Sequence, residues 1–288
     1  MLGMGIGESK PAASLFVVAT PIGNLEDMSH RAVRVLSEVD LVAAEDTRRT
    51  RVLFDHYGIS TPLIALHEHN ELALAPQLVQ QLCSGSSLAL VSDAGTPLLS
   101  DPGYRLLNLA IAAGIQVLSI PGASALTAAL SIAGLPTDRF VFEGFLPAKT
   151  AARKASLERL RQEQRTLVFF ESSHRVLASL GAMAEVFGQN RPAAVCRELT
   201  KRFETTLRGG LGSLHAAVLA NTDQQKGEFV IVVDGAAQDM DVSMATAMEM
   251  ALALQEFLSG SQAARVAARL CDVDRRALYR LLPDKGSE

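Results

Sequence analysis

The stretch Leu88–Gly103, LALVSDAGTPLLSDPG, decides the fold. Its first four residues, Leu88–Val91, form a short unbroken apolar run bounded by turn signals, which reads as a strand buried on both faces. Ser92-Asp93-Ala94-Gly95-Thr96-Pro97 ends that strand, and a helix is predicted from about Pro102. Strand, polar Gly/Pro loop and helix are the repeating unit of a largely parallel α/β sheet.

The unit recurs on both sides. Leu15–Ala19 (LFVVA) is a strand broken by Thr20-Pro21-Ile22-Gly23-Asn24 before a helix over Ser29–Ser37. Asp40–Ala44 is a second strand ending in Glu45-Asp46, and the helix after it carries Arg48, Arg49 and Arg51. A short strand near Leu63–Leu66, a helix over Pro76–Cys83 and a strand over Gln116–Ile120, closed by Pro121-Gly122, complete this half. Around Leu135–Ala148 the order changes, with a short strand Phe140–Phe142, and this is the best place for a hinge. A basic helix from Lys149 to Arg165 follows, then a strand Thr166–Phe170, a helix from about His174, a strand Ala193–Cys196, the segment Lys201–Arg208, a helix Leu214–Leu219 and a strand Glu228–Val233. Past Asp234 the chain turns Ala- and Met-rich, with two or three short helices between Ala245 and Leu282. The expected organisation is a flexible tail over 1–14, an α/β domain over 15–135, a second α/β domain over 136–236, and a small helical element over 237–288.

Composition bounds the function. With 48% hydrophobic and 20% charged residues in 288, the chain has enough apolar material for two cores and is not a disordered polymer. Lys and Arg number 27 against 31 Asp and Glu, so any nucleic-acid contact needs a local basic patch on an acidic protein. Cys83, Cys196 and Cys271 lie far apart and suggest neither a zinc site nor a disulfide framework, which fits a reducing, cytoplasmic setting. No run approaches the ~20 apolar residues of a membrane span. Gly3, Gly5 and Gly7 follow no strand, so they are read as part of the tail and not as a dinucleotide loop.

In an open parallel sheet, small polar ligands bind beyond the carboxyl ends of the strands, where helix N-termini and free backbone N–H groups converge. Three loops at such positions are rich in Gly, Pro and hydroxyl residues: Thr20–Asn24, Ser92–Gly103 and Pro121–Ala125. Small side chains let a ligand approach the main chain, and Pro97, Pro102 and Pro121 stiffen the loops. There is no GxxxxGK[ST], no strand-linked GxGxxG, no HExxH and no GxSxG. A ligand without phosphates is therefore favoured over a nucleoside triphosphate or dinucleotide, and zinc hydrolysis and α/β-hydrolase chemistry lose their support.

ATPIGNLED (Ala19–Asp27), AEDTR (Ala44–Arg48), VSDAGTPLLSDPG (Val91–Gly103), IPGASA (Ile120–Ala125), FFESSHR (Phe169–Arg175), RELTKRFE (Arg197–Glu204) and GEFVIVV (Gly227–Val233) together resemble the tetrapyrrole methylase superfamily. Within it they are most similar to the group that methylates small-subunit ribosomal RNA, over about Leu15 to Gly235. The resemblance implies two α/β domains of the class III methyltransferase type, S-adenosylmethionine in the cleft between them, a homodimer, and 2′-O-ribose methylation of a cytidine in the decoding region of 16S rRNA. It also implies that Pro21, Asp93, Ala94, Gly95, Thr96 and Leu99 hold the cofactor, with Ser124 and Ala125 on the far wall and Glu171 and Leu199 facing them from the second domain. A competing role for Asp93 is to cap the turn that follows it. Ser173 stands where the group usually has proline, and this could loosen that turn.

A ribose hydroxyl is a weak acid, so a general base or a neighbouring cation helps its proton leave. Glu171 and His174, three apart and on one face if their loop opens a helix, are candidates, as are Asp46 at the end of the second strand and Lys201. His67 and His69 flank Glu68, and a strand would send the two histidines to one face and the glutamate to the other, so no catalytic metal is expected. For RNA phosphates, Arg48, Arg49, Lys149 and Arg153 are candidates near the cleft mouth, or else solvated helix faces. The C-terminal stretch resembles the small helical domain that some members append, with helix-turn-helix character, and its cluster Arg265, Arg269, Arg275, Arg276 and Arg280 suits RNA contact, the alternative being a packing or dimer element. Two other readings remain open: a methylase of a tetrapyrrole, and a binding module that uses the cofactor only as a ligand.

Overall fold

The computed structural model describes residues 13–237 and 240–283. The expected tail, with Gly3, Gly5 and Gly7, lies outside these residues except at its end, where Ser14 already opens the first strand. Two units result, one ending at Asp234 and one from Gly235 onward.

The first unit contains two sheets. Strands β1 (Ser14–Val18), β2 (Leu41–Ala44), β3 (Leu63–Ala65), β4 (Leu88–Val91) and β5 (Gln116–Ile120) form an all-parallel sheet in the order β3-β2-β4-β1-β5. Helices α1 (His30–Glu38) and α2 (Thr47–Tyr57) cover one face, through Val35, Leu36, Leu53 and Phe54. Helices α3 (Glu71–Cys83) and α4 (Tyr104–Ala112) cover the other, through Leu78, Leu82, Leu106 and Ala110. The two-sided cover explains why LALV reads as a continuous apolar run, every residue of it buried.

Local chemistry sets the helix ends. Ser29 and Asp46 cap α1 and α2 by accepting the N–H groups of Ala32 and Arg48. Helix α3 begins at Glu71, five residues before the predicted start, and takes Pro76 inside it. The signal for that earlier start is Asn70: its carbonyl oxygen accepts the His67 N–H at 2.9 Å and its amide donates to the Ala65 carbonyl at 2.9 Å, closing the turn beyond β3. Helix α4 has glycine at its N-cap, and the Glu71 carboxylate supplies the missing acceptor for the N–H groups of Arg105 and Leu106 at 2.8 and 3.1 Å.

The second sheet, in the region expected as a second α/β domain, is mixed where the first is parallel. Its order is β6-β7-β10-β8-β9, formed by β6 (Phe140–Phe145), β7 (Thr166–Ser172), β8 (Pro192–Arg197), β9 (Thr205–Gly210) and β10 (Glu228–Val233). Only β6 and β7 pair in parallel; the other three ladders are antiparallel. Helices α6 (Thr150–Arg159), α7 (Val176–Phe187) and α8 (Leu211–Ala220) bury one face against Leu167, Phe169, Val195 and Ile231. The opposite face, with Val168, Phe170, Ala194, Cys196, Val230 and Val232, receives Leu126, Ala129, Leu130 and Ala133 of α5 (Ala125–Ala133). Thus α5, which follows the first sheet in sequence, packs on the second.

The second unit holds α9 (Met240–Leu254), α10 (Gly260–Cys271) and α11 (Arg275–Leu281) around a small core of Ala247, Ala251, Ala264, Ala267 and Leu278. Ser259 and Gln262 form a capping box at the start of α10, and Asp274 caps α11 by accepting the Ala277 N–H at 2.7 Å. A left-handed Asp272 makes the tight turn between α10 and α11. Arg265, Arg269, Arg275, Arg276 and Arg280 are all exposed.

Candidate active site

In the first sheet β1 and β4 are neighbours, yet the chain leaves β1 toward β2 and leaves β4 toward β5, in opposite directions across the sheet. Right-handed crossovers then send α1 and α4 to opposite faces, and the loops after β1 and β4 part to leave a crevice. Hydrogen bonds stitch the loops along it. Thr20 and Gly95 exchange backbone bonds of 2.9 and 3.0 Å, the Thr20 hydroxyl donates to the Ser92 carbonyl at 3.3 Å, and the Thr96 hydroxyl donates to the Ala123 carbonyl at 3.2 Å. The three loops singled out in the sequence are therefore one rigid floor.

The longest of them stores backbone strain. Leu98 and Ser100 lie in the left-handed region at φ +76° and +72°, where residues with a Cβ are uncommon, and Gly103 follows at +113°. A side chain at Gly103 would strike Leu90, with an added Cβ 2.5 Å from its Cδ2. Beyond the floor, the far wall is built from the ends of β6, β7 and β10 and from the turn Glu198–Lys201, itself left-handed at Glu198 and Thr200. The cleft measures about 390 Å³, within the usual range for small-molecule sites.

Charge in the cleft is arranged in pairs, with one exception. Glu45 at the end of β2 accepts the Asp93 N–H at 3.2 Å; Asp93 in return accepts the Asp46 N–H at 3.0 Å and pairs with Arg49 at 3.1 Å. Asp93 thus locks two adjacent loops and does not cap its own turn. Burial raises the Glu45 carboxyl above its ordinary range, more than the Asp93 N–H lowers it. Lys201 bridges Glu198 and Glu228, both at 2.8 Å; burial pulls its ammonium down, but these two partners outweigh it and leave the group firmly protonated. Asp101 is the exception. Burial pushes its carboxyl up to about 6, the Ser92 hydroxyl offsets part of this, and the Glu45 and Asp93 charges add to it.

The cleft brings together Asp93, Ala94, Gly95, Thr96, Leu99, Ser124, Ala125, Glu171, Leu199, Lys201 and Arg49. Pro21 lines the adjoining recess with Thr20, Gly23 and Lys201. Other expected residues fall elsewhere. Strand β7 continues through Ser172 and α7 starts at Val176, so Glu171 and His174 share no helix face; His174 is exposed outside the cleft. The turn with Ser173 still closes, through the Arg175 N–H on the Ser172 carbonyl at 3.1 Å. Asp46 is the α2 cap and is gripped by Arg48 at 2.7 Å, which holds its carboxyl down at about 2, far too acidic to take a proton at neutral pH. That same pairing occupies Arg48, and Asp93 occupies Arg49.

Lys149 is exposed at the start of α6, whereas Arg153 is only 5% exposed, with one long hydrogen bond of 3.4 Å to the Ala148 carbonyl, and cannot reach a phosphate. Arg275 and Arg276 belong to the second unit. His67 and His69 lie in a turn and not on a strand, their rings 5.9 Å apart, so strand alternation does not apply to them. No three His, Cys, Asp or Glu among the described residues are grouped to hold a metal.

Among the cleft residues that the sequence does not single out, three bear on the chemistry: Glu45, Asp101 and Phe145. Glu45 was hidden by its neighbour Asp46, though a helix cap at Asp46 was readable. Asp101 had a signal, being a carboxylate between a strained loop and Pro102-Gly103. Phe145 had none, because it depends on a strand irregularity.

The tetrapyrrole (corrin/porphyrin) methylase family matches residues 14–215. The chain is 53% identical over 266 residues to ribosomal RNA small subunit methyltransferase I of Xylella fastidiosa (strain Temecula1 / ATCC 700964), covering 92% of this chain and 97% of that protein. It is 51% identical to the protein of the same name from Pseudomonas aeruginosa, covering 93% and 96%, and 48% identical to that of Escherichia coli O157:H7, covering 92% and 93%. Among solved structures, uroporphyrin-III C-methyltransferase from Thermus thermophilus complexed with S-adenosylhomocysteine matches 76% of this chain and 96% of its own, at 16% identity and a TM-score of 0.53. A conserved hypothetical protein from Aeropyrum pernix matches 94% and 95% at 16% identity and a TM-score of 0.60. The stitched floor, the mixed second sheet and these likenesses agree: the chain belongs to the tetrapyrrole methylase family and, within it, to the ribosomal RNA small subunit methyltransferase I group.

Proposed function

We propose that this protein methylates the 2′-hydroxyl of a cytidine ribose in the decoding region of 16S rRNA, working as a homodimer in the cytoplasm. No described helix is long and apolar enough to cross a membrane. The cofactor is S-adenosylmethionine, and the cleft suits it: backbone groups flank the small residues Ala94, Gly95 and Thr96, Ser124 and Ala125 leave room opposite, and Glu45, Asp93 and Asp101 complement its positive charge. When bound, it supplies an electrophilic methyl carbon on a sulfonium. The chain's own work is to position the hydroxyl and take its proton.

Asp101 is the residue suited to that proton. Burial raises both Glu45 and Asp101, but Glu45 accepts the Asp93 N–H and feels Arg49, whereas no cation offsets Asp101, and a value near 6 makes it a stronger base than an ordinary aspartate while still ionised at neutral pH. Lys201, held protonated by Glu198 and Glu228, is a fixed cation on the opposite wall and not a base.

The observation carrying this reading is the crevice between β1 and β4, floored by hydrogen-bonded loops and lined by a desolvated, cation-free carboxylate. Tritiated methyl transfer to small subunits lacking the modification tests it. Label is expected in the RNA, at one ribose, and lost when that nucleotide is a 2′-deoxy analogue; label on a base, on a porphyrin or nowhere overturns it. The exposed arginines of α11 fit the same substrate. Arg275→Ala with Arg276→Ala is expected to weaken RNA affinity roughly tenfold, with a shallower salt dependence and unchanged cofactor affinity in titration calorimetry. An RNA affinity equal to the parent's would assign these helices to packing.

A further inference from the structure

Phenylalanines are usually core residues, but Phe145, at the end of β6, is 51% exposed and lines the cleft. Its position follows from a bulge. Residues 142 and 145 would point to opposite faces of a regular strand. The β6–β7 register slips between Phe142 and Gly144, so Phe142 pairs with Val168 and Phe145 with Phe170, and both rings reach the face that carries Val168 and Phe170. Gly144 accepts the left-handed φ of +64° at the slip, and an added Cβ there would fall 2.8 Å from Ser100 Oγ. The bulge therefore lies against the strained loop, one residue from Asp101, and sets Phe145 beside that carboxylate's end of the cleft.

The ring is held from two sides. Phe170 meets it edge-on at 5.8 Å and is itself braced by Phe142 at 4.8 Å. The Arg175 guanidinium lies over the Phe145 ring at 5.7 Å. Arg175 is fixed in turn by the Leu146 carbonyl at 3.1 Å, the Ser172 hydroxyl at 3.2 Å and the Glu171 carboxylate at 3.0 Å, which also accepts the Ser179 hydroxyl at 2.6 Å. A half-exposed aromatic ring locked this firmly has lost its entropy in advance, which is what a stacking platform requires.

We propose that Phe145 is the surface on which the target nucleobase rests once it has left its own stack, so that its ribose lies by Asp101. An enzyme acting on one nucleotide of a folded RNA gains by extruding that nucleotide, and an aromatic face holds any extruded base by stacking. The inference rests on the reading of this cleft as a ribose-methylating site, and wild-type transfer to unmodified subunits tests that reading separately.

Because the chain has no tryptophan, Phe145→Trp introduces a single indole reporter. A single-stranded RNA oligonucleotide of the decoding region should quench its emission, whereas S-adenosylhomocysteine alone should leave it unchanged. Quenching by S-adenosylhomocysteine with no further change on adding RNA would assign the ring to the cofactor's adenine and overturn the proposal. In parallel, Phe145→Leu should raise KM for unmodified subunits about 10- to 100-fold with S-adenosylhomocysteine affinity intact, and Phe145→Tyr should restore KM to within about threefold of wild type. A leucine variant with wild-type KM, in a wild-type enzyme that transfers label, would equally overturn it.

Discussion

Asp101→Asn is expected to slow methyl transfer by about 10²- to 10⁴-fold at neutral pH, the usual range for removing a general base, and to make the protein more stable. Both effects have one cause. The cleft removes water from the Asp101 carboxylate and offers no cation in return, so its pKa rises to about 6 from the ordinary 3.8. Between those values the folded chain keeps a proton that the unfolded chain has released. Its contribution to stability is intact below about pH 3.8 and is lost as pH rises through about 6. At pH 7 the ionised group is therefore a net cost, on the order of 1–2 kcal/mol once solvent screening of a partly exposed side chain is allowed for. Asparagine keeps the shape and cannot ionise. Urea unfolding should show Asp101→Asn more stable than wild type at pH 7.5 and equal to it near pH 4. The wild-type rate should climb tenfold per pH unit below 6 and level off above, whereas the variant's rate should be flat. A variant with a wild-type pH profile would remove Asp101 from the chemistry.

That a stabilising change should cost activity is consistent with the loop that carries Asp101. Leu98 and Ser100 sit in left-handed conformations, and each such residue costs about 1–3 kcal/mol against an unstrained backbone. The hydrogen bonds from Thr20 to Gly95 and from Thr96 to Ala123 hold the loop in that shape. Strain and desolvation both accumulate on the same twelve-residue stretch, Ser92–Gly103, that the sequence marks by its density of Gly and Pro.

What could be read from the sequence divides along a physical line. Signals confined to a few neighbouring residues were legible: LALV as a two-sided strand, Thr20-Pro21 and Pro121-Gly122 as loops at strand ends, Glu228–Val233 with its observed bounds. Arrangements that depend on partners distant in the chain were not. Antiparallel pairing of β8 and β10 leaves no mark that separates it from parallel pairing in strands this short and apolar. Arg153 carries the same letter as a solvated arginine, and only the packing of α6 shows it buried. Phe145 reaches the cleft through a one-residue slip against β7, so a regular alternation count turns it the wrong way. Asp46 could have been assigned correctly, since an aspartate just before Thr-Arg-Arg-Thr is a helix cap by pattern alone.

Glu171 separates a positioning role from a catalytic one most sharply. Strand parity puts it on the face of Leu167 and Phe169, toward α7, where its side chain is 1% exposed and every oxygen is engaged: Oε1 by the Ser172 N–H at 2.8 Å and Arg175 at 3.0 Å, Oε2 by Ser179 at 2.6 Å. A carboxylate so occupied anchors Arg175, and through it Phe145; it is not free to accept a substrate proton. Glu171→Ala would strand a buried hydroxyl and half of an ion pair, at a cost of about 3 kcal/mol, or roughly 6–12 °C in Tm for a unit of this size. Because Arg175 would then leave the Phe145 ring, RNA affinity should fall along with stability while cofactor affinity holds. Glu171→Gln decides between the roles. An anchor survives it, since the amide oxygen still accepts the Ser172 N–H and the variant should retain kcat within about fivefold, with the loss appearing in KM. A general base does not, and a kcat reduced by the ~10²-fold or more expected of one, with Tm unmoved, would return Glu171 to the chemistry and displace Asp101 from it.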